Sequence, residues 1–200
     1  VLKQLKTSNL TKGRIITAHL NTLKPRKLYS IMSRINNLDY FNIENEQEIK
    51  FQDILSKNCC GLGNTSINIS ALPQNIDFNT EIAAVDWMLF SRMLYEGKST
   101  IYTNKTYIYY RQHDLNSIGL KSINKDRLLR GIQIKTIHYK NLFDEYGICN
   151  LELEQLKRLS EYCSNPKNLL NYTNKILSLN LHNPMWWEEI KTLKELNLEE

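Results

Sequence analysis

Apolar and polar residues alternate along the chain in two rhythms. Residues 14–20 (RIITAHL) are apolar and β-branched and predict a short strand. Beyond Pro25 the rhythm changes. Leu28, Ile31, Met32 and Ile35 recur at helical spacing, predicting a helix over 26–38. Residues 39–50 are polar and acidic and read as a connection; 51–57 reads as a helical turn or a short strand. Gly61 and Gly63 punctuate the chain before an extended stretch at 65–69, and 73–80 reads as a loop.

The clearest helix of the first half spans 82–96. Ala83, Trp87, Phe90 and Leu94 share one face, and Gly97 stands where a glycine cap would end it. Two β-rich runs follow, 100–103 (TIYT) and 106–113 (TYIYYRQH). From Ser122 the rhythm is helical throughout. Leu129, Ile132, Thr136 and Tyr139 mark one helix ending near Gly147, and Leu153, Leu156, Ser160 and Cys163 mark a second. Asn165-Pro166 and Asn183-Pro184 each pair a capping side chain with a proline suited to the first helical position. The expectation is an α/β unit over 1–120, then a helical extension over 121–200 with four helices and no strand.

Composition narrows this little. Of 200 residues, 42% are hydrophobic and 24% charged, ordinary for a globular chain. No apolar run approaches the roughly eighteen residues of a membrane-spanning helix, and no signal-peptide pattern opens the chain. The four cysteines (Cys59, Cys60, Cys149, Cys163) make no zinc spacing and read as reduced. Charge is uneven: residues 1–40 hold eight Lys and Arg against Asp39 alone, +7 of a net +5. Such a surface suits phosphorylated ligands, anionic lipid or nucleic acid, or is a solvated face. No recognised nucleic-acid module accompanies it, so nucleic acid is not expected as a partner.

Three groups of residues could carry chemistry. In a strand over 106–113, Tyr107, Tyr109, Arg111 and His113 share one face, just before a polar loop. Arg offers a planar fork of donors for phosphate, and His can bind a divalent metal or a phosphate oxygen; an ordinary surface strand would look the same. Asp86 stands in the first turn of an apolar helix, where it either complements the helix dipole or acts as a base, beside a Trp87 suited to stacking on a sugar. The third group, Gly61 to Ser66, lacks the strand-then-helix setting of a dinucleotide loop. Gly97-Lys98-Ser99 is no phosphate-binding loop, because Arg92 occupies the place of the leading glycine.

Taken in order, these pieces resemble a known family. The run Tyr110-Arg111-Gln112-His113-Asp114-Leu115-Asn116-Ser117-Ile118-Gly119 is similar to the Y-R-Q-H-x-x-N-x-x-G signature of rhamnosyltransferase-like members of glycosyltransferase family 2. Val85-Asp86-Trp87 stands where that family carries an acidic or histidine residue followed by Asp-Trp. Gly63-Asn64-Thr65-Ser66-Ile67-Asn68 resembles its segment beneath the acceptor site. The resemblance covers residues 51–119 and implies a GT-A type fold. It also implies inverting transfer from a nucleotide-diphosphate sugar to an acceptor hydroxyl, in cell-surface polysaccharide synthesis.

On that resemblance Asp86 is the catalytic base. Trp87, Gly63, Asn64, Arg111 and Asn116 bind substrates, and His113 contributes to a Mg²⁺ or Mn²⁺ site. The implied acceptor is a glycan or a lipid-linked sugar, reached from the cytoplasm at the inner face of the plasma membrane, with the basic residues 1–40 against anionic lipid. Two departures stand out: Val85 replaces the family's polar residue, and no Asp-x-Asp metal motif occurs anywhere. With the start on Val1, they lead to the expectation that the chain is the acceptor-side, C-terminal half of such an enzyme. The alternative is a non-catalytic interaction module or an inactive remnant.

Overall fold

The β-branched run near the start pairs as a strand. A computed structural model describes residues 14–21, 47–62, 65–73, 76–77, 79–109, 123–179 and 186–199, with backbone alone for 14–21, 47, 103–109 and 186. The expected helix over 26–38 and the Asn183-Pro184 cap lie outside the described residues. So does the expected boundary near residue 120. The chain is mixed α/β and divides into two compact units: Val1–Phe78 with Val85–His113, and Asn79–Ala84 with Asp114–Glu200.

The first unit holds a four-stranded sheet in the order β2-β4-β1-β3, built from β1 (Arg14–Asn21), β2 (Gln47–Ile49), β3 (Thr65–Ile67) and β4 (Ser99–Tyr109). The central pair, β1 and β4, is parallel; each outer strand is antiparallel to its neighbour. Parallel neighbours need a long crossover, which here includes the helices α1 (Phe51–Ile54) and α2 (Val85–Tyr95). The two β-rich runs expected at 100–103 and 106–113 are, as far as Tyr109, one strand. Ala18 of β1 pairs with Thr103 and the next residue, His19, with Tyr107, so Asn104, Lys105 and Thr106 are absorbed as a register shift.

Helix α2 is more deeply set than one apolar stripe suggests. Trp87, Met88, Leu89, Phe90, Ser91, Met93 and Leu94 are all buried, and Ala83 precedes the helix. Leu89, Phe90, Met93 and Leu94 pack with Ile49, Ile54, Cys60 and Ala71 into the core of this unit. The helix ends as expected. Gly97 takes φ +80, its N–H bonds Leu94 O at 3.1 Å and that of Lys98 bonds Met93 O at 2.9 Å. This paired arrangement needs a left-handed residue at Gly97.

The second unit is helical among its described residues: α3 (Lys125–Tyr146), α4 (Asn150–Ser164), α5 (Pro166–Ser178) and a 3-10 turn at Trp186–Glu189. Asn124 caps α3 through the Arg127 N–H at 2.9 Å, and Gly147 ends it. Asn165 caps α5 through the Lys167 N–H at 2.9 Å, with Pro166 in the first turn, as its sequence predicts. In α4 the buried residues are Leu153, Leu156, Leu159 and Cys163. The expected Ser160 is exposed, because the stripe advances by three residues there rather than four.

The segment after α5 lies directly on α3. A Cβ at Gly131 would stand 2.9 Å from Ile190 Cγ1 and 3.3 Å from the Trp187 backbone, so the mid-helix glycine permits the approach. Tyr172 clips the same segment, its hydroxyl donating to Lys191 O (2.9 Å) and accepting from Lys191 N (3.1 Å). Lys135 is the surprise. It is buried and donates to Ile190 O at 3.3 Å. Burial pulls its ammonium from 10.5 down to about 8, against Glu188 and Glu195, which hold it up, and with Lys191, which lowers it further.

Below about pH 8 both folded and unfolded chains carry this charge, so the folded chain bears the full cost. Between about 8 and 10.5 only the folded chain sheds the proton, and the cost fades. The half-buried thiol of Cys149 and the buried thiol of Cys163, both pushed up to about 11, give the opposite trend in alkali. A comparison with Lys135→Met separates the two. The variant should be more stable at pH 7 by about 2 kcal/mol, the desolvation relief less one hydrogen bond, or about 4–8 °C in Tm. Its advantage should vanish near pH 10.5. Thermal melts across that range check it, and a constant offset would refute the buried-charge account.

Candidate functional site

The candidate site centres on Asp86, the second residue of α2. Its Oδ1 accepts the Trp87 N–H at 2.8 Å. Its own backbone N–H and that of Leu62 also bond the carboxylate. The start of a helix favours negative charge, since unsatisfied N–H groups point there. Asp86 is nevertheless half-buried, and loss of water outweighs those donors: burial raises its carboxyl above the ordinary 3.8, while the backbone N–H groups of Trp87, Asp86 and Leu62 pull it back. A carboxylate poorly hydrated yet held by fixed donors is a better proton acceptor than one in open water.

Leu62 is the partner that the sequence did not reveal. It lies in the glycine-punctuated turn after Cys60, so the structure joins two pieces that in the sequence are linked only by their order. The available signal was Gly61 itself, a residue suited to a turn in which a backbone N–H faces a neighbouring carboxylate. Val85, standing where the resembled family has a polar residue, is exposed at 36% and adds no bond to the carboxylate.

Trp87 is corrected. It was expected to bind substrate by stacking, but its side chain is 0% exposed and its Nε1–H donates to Ile54 O at 2.7 Å. No ring face is open to a sugar. Its part is to fix the start of α2, and with it Asp86, against the C-terminal end of α1.

Gly63, Asn64, Arg111, His113 and Asn116 lie outside the described residues. Strand β4 is described to Tyr109, which pairs with Asn21 at the carboxyl ends of the parallel strands. The Tyr110-Arg111-Gln112-His113 run follows directly in the sequence, and the carboxyl ends of parallel strands are the usual place for ligands in α/β sheets. Among the described residues no three His, Cys, Asp or Glu side chains gather as a metal site. A hard divalent cation needs several oxygen ligands, and His113 by itself supplies none. Among the described residues, too, no helix is long and apolar enough to cross a membrane.

No protein-family model, no curated protein and no solved structure matches this chain.

Proposed function

We propose that this chain is the acceptor-side part of an inverting glycosyltransferase that uses a nucleotide-diphosphate sugar, of the family 2 kind with a GT-A type fold. The observation that carries the reading is Asp86: a half-buried carboxylate at a helix start, gripped by the Leu62 turn and raised by burial. The ordered motifs on either side support it. Asp86 takes the proton of the acceptor hydroxyl. The freed oxygen forms its bond to the anomeric carbon as the bond to the diphosphate breaks from the opposite face, and the leaving nucleoside diphosphate keeps the electron pair.

On the family resemblance, Arg111 neutralises charge gathering on that diphosphate, and Asn116, Gly63 and Asn64 line the substrates. His113 belongs to the Mg²⁺ or Mn²⁺ site, whose other ligands this sequence does not show. The acceptor is a glycan or lipid-linked sugar of a surface polysaccharide, with the basic residues 1–40 toward anionic lipid at the cytoplasmic face of the plasma membrane.

The missing Asp-x-Asp favours a second reading, a non-catalytic interaction module or inactive remnant. A donor panel separates the two. The full reading frame that encodes the chain is incubated with UDP-, GDP- and dTDP-sugars and Mg²⁺ or Mn²⁺, and nucleoside diphosphate release is followed. The expected result is release from one nucleotide class, accelerated by an acceptor glycan. Absence of both release and saturable donor binding across the panel would leave the module reading.

A further inference from the structure

Cys59 and Cys60 are adjacent in sequence, and their sulfurs lie 3.6 Å apart. The two differ in access. Cys60 is wholly buried in the core with Ile49, Ile54 and Leu89, while Cys59 is half-buried and packs against it. Both are reduced. The Cys60 N–H donates to Asn58 Oδ1 at 3.0 Å, and two residues later the Leu62 N–H bonds the Asp86 carboxylate. A reachable thiol beside a sheltered one is the arrangement of an oxidisable pair, in which the first meets the oxidant and the second resolves it. Cys149 and Cys163 lack it: neither has a cysteine neighbour in sequence, and burial pushes both thiols up to about 11, away from the reactive thiolate.

We propose that Cys59 and Cys60 are a hydroperoxide-responsive modification site, which closes to a vicinal disulfide and thereby loosens the Leu62 turn from Asp86. The Cys59 thiolate attacks the peroxide. An S–O bond forms, the O–O bond breaks, and hydroxide leaves to take up a proton, giving a sulfenic acid. The Cys60 sulfur then attacks the sulfenic sulfur; the S–S bond forms, the S–O bond breaks and water departs with the Cys60 proton. In sum two thiols lose two electrons, and one hydrogen peroxide becomes two waters. Two equivalents of a small thiol reverse it by exchange.

The coupling to Asp86 is geometric. Adjacent Cα atoms stand about 3.8 Å apart across a trans peptide, closer than the roughly 4.4–6.8 Å of ordinary disulfides. Closure therefore shifts the backbone at 59–60, and the Leu62 donor is two residues away. The inference does not rest on the transferase reading, because thiol chemistry and the carboxyl titration report it without turnover.

The test treats the intact chain with hydrogen peroxide, then alkylates and digests it with trypsin. Residues 58–92 form one peptide with both cysteines and no others, since no Lys or Arg lies between Lys57 and Arg92. The expected product is that peptide lighter by two hydrogens, closed to alkylation and restored by dithiothreitol. Cys60→Ala should halt at a Cys59 sulfenic acid that dimedone traps. The Asp86 carboxyl, followed by carbon NMR, should titrate at higher pH in the oxidised chain and return on reduction. Two alkylated thiols after peroxide, or sulfinic acid on Cys59 of the unaltered chain, would overturn the pair. An unchanged Asp86 midpoint in the closed form would overturn the coupling.

Discussion

Trp87→Ala is expected to destabilise the chain by about 3–5 kcal/mol, the usual cost of emptying a large aromatic site in a core. The indole is 0% exposed, and its N–H is spent on the Ile54 carbonyl 33 positions earlier. Removing it opens a cavity beneath α2 and leaves that carbonyl without the indole donor. Trp87→Phe separates these effects, because most of the ring remains while the hydrogen bond goes. The cost should then fall to about 1–3 kcal/mol, the scale of one buried polar group unpaired. Urea titration of both variants measures it. A ring that served chiefly as a sugar platform would behave otherwise: Ala there would weaken acceptor binding and hardly move the unfolding midpoint.

Trp87 also shows where sequence reasoning stops. The first-half helix was legible because its signals are local: apolar residues at helical spacing, then a glycine able to take φ +80. The Asn165-Pro166 start and the Gly147 stop were legible for the same reason. What α2 packs against is a tertiary matter. Leu89, Phe90, Met93 and Leu94 pack on Ile49, Ile54, Cys60 and Ala71, and the Trp87 indole bonds Ile54 O, so a tryptophan beside a candidate base reads as a stacking platform in the sequence and is a core residue in the fold. Lys135, Glu188 and Glu189 were invisible likewise. Charged types predict exposure, and only the docking of the 186–199 segment on α3 buries them. At the candidate site, Asp86 was legible from its place in a helix start. The Leu62 N–H was not, because a backbone donor carries no side-chain signature.

Asp86→Asn is expected to lower sugar transfer by about 10²–10⁴-fold, the usual contribution of a positioned general base, with donor binding nearly unchanged. The same substitution should leave the fold as stable or more so at neutral pH. Burial raises this carboxyl above 3.8, so the folded chain binds its proton more tightly than the unfolded one. The ionised side chain is therefore a burden on the fold above its folded pKa. That burden lightens as pH falls through this value and is gone below about 3.8. The stability gap between Asn and wild type should close over the same range, which melts from pH 7 to pH 3.5 would record. A carboxylate that merely complemented the helix dipole predicts the reverse on both counts: Asn would cost stability at pH 7 and leave turnover intact. Activity and stability thus move in opposite directions if Asp86 is the base, since a group kept for catalysis against the preference of the fold loses function, and not stability, when its charge is removed.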